Sequence, residues 1–138
     1  MKNKMNPVVH FEMPYEDKNR AADFYKKVFG WENQMLGPEM GNYVIMTTSE
    51  RDEKTHFPKN PGMINGGMFE KNKDNHLTSV VIAVEDIRKA MEDVTQAGGI
   101  IIGGMKPGEP DDIPGVGLYC AFTDSEGNRV GMLQPKSM

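Results

Sequence analysis

Two residues near the start of the chain carry side chains that could do chemistry together, His10 and Glu12. They lie two apart in VVHFEM, a run rich in strand formers. Side chains alternate along a strand, so both point to one face, and Val9, Phe11 and Met13 point to the other. An imidazole near a carboxylate can bind a polar ligand group, exchange protons or offer donors to a metal. It can equally be a structural pair, hydrogen-bonded and nothing more. A nearby carboxylate favours the imidazolium and burial opposes it; the sequence leaves that contest open. Two residues along a strand span about 6.5–7 Å, which is wide for both to bind one ion.

The elements that position this pair come next. Pro14 cannot donate to a ladder and is expected to end the strand near residue 13. Asp17 is the N-cap of a helix running to about residue 29, with Ala21, Phe24, Tyr25 and Val28 as its apolar stripe. Gly30 supplies the left-handed residue that closes it, and Trp31 follows as a core plug. Strands are expected over 31–36, 43–48 and 66–70, with GPEMGN (37–42) as a turn and 49–65 as a long loop that could cover a site. After a polar connector the plan repeats. A strand over 77–84 leads to an N-cap at Asp86, and a helix with Ile87, Ala90, Met91, Val94 and Ala97 on one stripe ends at Gly98-Gly99. Strands over 100–105, 117–123 and 129–134 follow, the first two separated by a loop (106–114) and the last two joined by DSEGN. Phe24, Val28, Met91 and Val94 are expected to be buried.

Each half therefore reads strand, helix, three strands, and each alone is too small to bury a good core. The expected architecture is α+β: one domain over 1–138 made of two βαβββ modules, about 7–70 and 77–135, with a cupped sheet and the helices on its outer face. Strand edges left open by such modules favour a homodimer.

A net charge of −4, with lysines scattered, gives no electrostatic basis for a nucleic-acid or acidic-membrane partner. No apolar run approaches the roughly 20 residues a membrane span needs, and MKNKMN is not a signal-peptide start. One cysteine, Cys120, suits a reducing compartment, so a cytoplasmic location is expected. No basic group near Cys120 in sequence would lower its pKa, which argues against a nucleophile. The glycine pairs match no phosphate-binding loop. The 12 methionines read as core filler or as a plastic pocket wall.

Three segments carry a family resemblance: DFYKKVFGW (23–31), SVVIAVEDI (79–87) and GLYCAFTDSEGNRVGMLQP (117–135). Together they resemble the vicinal oxygen chelate superfamily of glyoxalase I, bleomycin-resistance proteins and extradiol dioxygenases. The resemblance implies four metal-ligand positions, two per module. Carried onto this sequence they fall at His10, near Gly67, at Ser79 and at Gly131. Only His10 is a competent ligand there, and a single imidazole cannot hold Zn, Ni, Fe or Mn usefully. His56 and His76 are possible substitutes, the first in the long loop and the second at a strand mouth.

Two functions from different classes follow. The first is metal-free binding of a small apolar or aromatic molecule, as the resemblance to bleomycin-resistance proteins implies, with no cofactor. His10, Glu12, Ser79, Val81, Arg129 and Leu133 would line the site, Arg129 facing Glu12, and the glycines at vacated ligand positions would leave room. The alternative is a lyase, isomerase or dioxygenase using His10 and Glu12 as catalytic groups, with or without a divalent metal. A third is an interaction module with a vestigial cavity. Tyr43 and Tyr119 lie on strands whose facing the sequence does not fix. IPGVG (113–117) resembles a substrate-side loop of the family and also reads as a plain turn.

Overall fold

A computed structural model describes residues 5–55 and 57–136. The chain divides into two compact units, the first His10–Ser79 and the second from Val80 onward together with the N-terminal residues up to Val9. His56 lies outside the described residues.

In the first unit, β1 (Val8–Tyr15), α1 (Lys18–Phe29), β2 (Glu32–Met35), β3 (Val44–Thr47) and β4 (Asn65–Glu70) form a mixed sheet in the order β2-β3-β4-β1. β1 runs parallel to β4 and the other pairs are antiparallel. β1 continues through Pro14, two residues past the expected stop. The Tyr15 carbonyl accepts from the Lys71 N–H at 2.9 Å, so Tyr15 presents its polar backbone to the β4 side. By alternation Pro14 presents its own away from β4, and the missing N–H breaks no bond there.

Asp17 caps α1 by accepting from the Arg20 N–H at 3.1 Å, and Gly30 closes it at φ 73°. One face of the sheet (Phe11, Met13, Tyr15, Val44, Met46 and Met68) packs against Ala21, Ala22, Tyr25 and Trp31. Phe24 and Val28 were expected in this core but are 55% and 56% exposed. The apolar arc of α1 is wider than a sheet can cover. Tyr25 stacks on Trp31 with ring centroids 4.8 Å apart, and this fixes the helix on its Ala22–Tyr25 side.

In the second unit, β5 (Ser79–Ala83), α2 (Ile87–Gln96), β6 (Ile100–Gly103), β8 (Gly117–Thr123) and β9 (Arg129–Pro135) give the order β5-β9-β8-β6. β7 (Asp111–Ile113) pairs with β8, where a structureless loop was expected. The Val116 N–H to Ile113 carbonyl bond makes IPGVG the turn of that hairpin. Asp86 caps α2 by accepting from the Arg88 and Lys89 N–H groups. Ile87 is fully buried, and Ala90, Met91 and Val94 pack beside it against Val84, Cys120 and Met132. Ala97 ends the helix and is exposed instead of extending the stripe.

Each helix thus covers one face of its own sheet. Parity puts His10 and Glu12 on the opposite face of the first sheet, and Ser79, Val81, Arg129 and Leu133 on the opposite face of the second. Met46, Met68 and Met132 are core residues, whereas Met5, Met63 and Met105 are largely exposed. Three of the described methionines therefore serve as core filler. No helix among the described residues is long and apolar enough to cross a membrane.

Candidate functional site

His10 and Glu12 do share a face, and a third residue joins them. The Tyr43 hydroxyl lies 2.9 Å from His10 Nε2 and donates to Glu12 Oε2 at 3.0 Å. Two hydrogen bonds in series bridge a gap along β1 that the side chains could not close directly. A phenol has one hydrogen to give, and Glu12 takes it. The phenol oxygen therefore accepts from His10 Nε2–H, which makes the imidazole the Nε2–H tautomer with its lone pair on Nδ1.

The charge state left open by the sequence follows. Burial pushes the His10 pKa down to about 4, because the half-buried ring loses the water that would solvate an imidazolium. Glu12 does not offset this by direct contact, since the phenol stands between them. At neutral pH the imidazole is neutral, and it stands in a row with a phenol and a carboxyl group. It can hydrogen-bond a polar ligand group, and Nδ1 can accept a proton or a hydrogen bond.

Tyr43 is positioned by what Gly67 lacks. Gly67 is the cross-strand partner of both Glu12 and Ile45, and Tyr43 lies two residues before Ile45. A Cβ at position 67 would collide with Tyr43 Oη, Cε2 and Cζ. The glycine was expected to leave room for a ligand. That volume instead holds the chain's own phenol ring.

The remaining residues divide by unit. Ser79 begins β5, half-buried. Val81 is buried and pairs with Gly131; Leu133 pairs with Ala83 and Tyr119, and Arg129 with Thr123. A Cβ at Gly131 would meet Tyr119 Cε1 and Oη, each at 2.8 Å. His76 is exposed in the connector before β5. Cys120 is fully buried and burial raises its thiol pKa, the opposite of what a nucleophile needs.

Tyr43 is the member of this candidate site that the sequence did not assign. Its signal was the glycine opposite Ile45, two residues further along β3, readable only once the β3–β4 register is known. One further feature lies on the strand of Gly67. Asn65, 7% exposed, accepts through Oδ1 from the Thr48 and Ser49 N–H groups at 2.7 and 2.9 Å and so holds the end of β3.

A family model for the glyoxalase/bleomycin resistance protein/dioxygenase superfamily matches residues 8–132. The chain belongs to that superfamily. Among solved structures it is similar to methylmalonyl-CoA epimerase from Streptomyces coelicolor, in complex with 2-nitronate-propionyl-CoA, with TM-score 0.67, 10% identity and 98% of each chain covered. It is also similar to a superfamily member from Vibrio splendidus 12B01, with TM-score 0.57, 15% identity, and 95% of this chain and 99% of that chain covered. These likenesses establish the α+β glyoxalase-like fold. No curated protein matches the sequence.

Superfamily members often use divalent metals, so the donor set needs a test. Among the described residues no three His, Cys, Asp or Glu side chains cluster to hold an ion. Among the described residues the donors that share this face of β1 are His10 and Glu12, both bonded to Tyr43. The position opposite Glu12 across the strand pair is a glycine whose side-chain volume is filled. This set does not fit a catalytic metal, which takes about three protein ligands and one open position.

Proposed function

We propose that this chain binds a small apolar or aromatic molecule bearing a polar group, without a metal, and that His10, Tyr43 and Glu12 anchor the polar group. The observation that carries this reading is the Tyr43 hydroxyl bonded to both His10 and Glu12 over Gly67. It presents hydrogen-bonding groups where a metal would need donors. Ser79, Val81, Arg129 and Leu133 are proposed as further contacts, a cytoplasmic homodimer as the working form, and no cofactor. The open edge of β2 in the first unit's sheet supports the dimer.

Thermal melting against a panel of phenols and aryl ketones tests the binding reading. A ligand that binds only the native state raises Tm by mass action. At least one member should raise it, and Tyr43→Phe and Glu12→Gln should each shrink the shift. A panel that leaves Tm unmoved, with one tightly held metal per purified chain, would reverse the assignment. Light scattering tests the dimer: a mass near 15.4 kDa at every concentration would exclude it.

A second reading is supported by the neutral imidazole. The unprotonated ring can accept a proton at Nδ1, and one structural neighbour is an epimerase. Exchange of a ligand C–H in deuterated water, lost in His10→Gln, would favour it over binding alone.

A further inference from the structure

We infer that Tyr43 keeps a third metal donor off this face, because its ring as placed and a donor side chain at 67 would occupy one volume. The inference rests on packing and register, independently of what the site binds. Glu12 and Gly67 are direct partners across the parallel β1–β4 pair, so side chains at 12 and 67 stand next to each other on one face. His10 is two residues back on the same face. A Glu at 67 would therefore add a third donor to the face that carries His10 and Glu12, and a divalent ion needs about three to be held well. No such side chain can enter while the phenol keeps this position, since even a Cβ there collides with three Tyr43 ring and hydroxyl atoms. The same phenol also engages both donors, His10 at Nε2 and Glu12 at Oε2. One residue removes the third ligand and occupies the other two.

The second unit repeats the packing at an equivalent place. Ile45 is the partner of Gly67 and Tyr43 lies two residues before it; Ala121 is the partner of Gly131 and Tyr119 lies two residues before it. In both units a tyrosine ring crosses diagonally over a glycine on the neighbouring strand. The same pairing thus occurs at two places in this chain.

Four proteins test this: wild type, Tyr43→Ala, Gly67→Glu and the double variant Y43A/G67E. The probe is Ni²⁺ or Zn²⁺ alone, followed by calorimetric titration with folding checked by circular dichroism. The double variant should bind about a hundredfold more tightly than wild type, and Tyr43→Ala alone should gain little, because two donors do not make a site. A folded double variant that binds no better than wild type overturns the inference. So does a wild-type chain that holds one metal per chain through His10. Should the charged variants fail to fold, Gly67→Ala and Y43A/G67A keep the question open to an answer. Gly67→Ala should lower Tm by several degrees when Tyr43 is present and by about nothing in the Tyr43→Ala background. Equal losses in both backgrounds would show that the two positions do not compete. None of these readouts depends on the proposed organic ligand, so the inference and the binding reading can fail separately.

Discussion

The tyrosine over Gly67 and the tyrosine over Gly131 share a packing geometry but differ in what surrounds them. In the first unit the phenol meets His10 and Glu12 on β1. In the second, Gly131 has Val81 and Ala121 as its strand partners, and neither can hydrogen-bond through its side chain. Gly67 thus has a carboxylate among its strand partners, and Gly131 has only aliphatic ones. Duplication supplied one frame twice, and the choice of side chains on the neighbouring strand decides whether the frame carries chemistry. The contrast also separates stability from function, because changes to the frame should matter in both units and changes to the chemistry in only one.

The largest effects belong to the frame. Met68 and Ile87 are 1% and 0% exposed in the two cores. Met68→Asp and Ile87→Asp each bury an unpaired charge at a cost of several kcal/mol, comparable with a typical domain's whole stability. Both should abolish the cooperative thermal transition seen by circular dichroism. If either melts like wild type, that core assignment is wrong.

Next is the pH response of the histidines, all three of which lie within His10–Ser79. The His10 proton goes on near pH 6.5 in the unfolded chain and near pH 4 in the folded one. The folded pKa is depressed, so the stability tied to neutral His10 is complete above about pH 6.5. It is lost as pH falls to about 4. The shift corresponds to roughly 3 kcal/mol as an upper bound for a half-buried ring. Between pH 6.5 and 4 wild type should lose more Tm than His10→Gln, which cannot titrate. Parallel curves would show that the ring is solvated and protonates normally.

Tyr43→Phe tests the first unit's site directly. It leaves the ring over Gly67 but removes the acceptor for His10 and the donor for Glu12, costing about 1–3 kcal/mol. The nitrogen-15 spectrum of His10 gives a signature that simple destabilisation would not. Wild type should show protonated Nε2 and bare Nδ1, and Tyr43→Phe should show a changed tautomer balance. An unchanged spectrum would mean that the phenol does not set the tautomer.

Much of the frame was legible because it follows from local periodicity. The parity of His10 and Glu12, the Asp17 and Asp86 caps, and the Ile87–Val94 stripe all depend on neighbours within one turn or one strand. What escaped depends on partners far away. Pro14 remains in β1 because of which way Tyr15 faces β4. Phe24 and Val28 are exposed because Tyr25 found Trp31. β7 exists only as a partner for β8. Tyr43 lies 31 residues from Glu12 in sequence, and its facing depends on a strand register that one slipped residue would invert. The candidate site was thus half visible: the pair on β1 could be read, and the residue that joins them could not.

The smallest effect sharpens the comparison at the helix starts. Asp17 accepts one backbone N–H, from Arg20 at 3.1 Å. Asp86 accepts two, from Arg88 and Lys89, each at 3.1 Å. Removing a cap leaves its N–H donors to water, at a cost of about 1 kcal/mol. Alanine at 86 orphans two donors and at 17 only one, so Asp86→Ala should be the more destabilising. The difference should be about a few tenths of a kcal/mol, because both caps are exposed and water replaces part of each bond. Urea denaturation of the two variants side by side, with a shared slope, can resolve it. The opposite order would mean that Asp17 holds more than its helix. Glu16, beside it, is 3.4 Å from Lys71 at the end of β4, a contact that ties the start of α1 to the sheet. Lys71→Ala in the Asp17→Ala background would then show whether that contact supplies the excess.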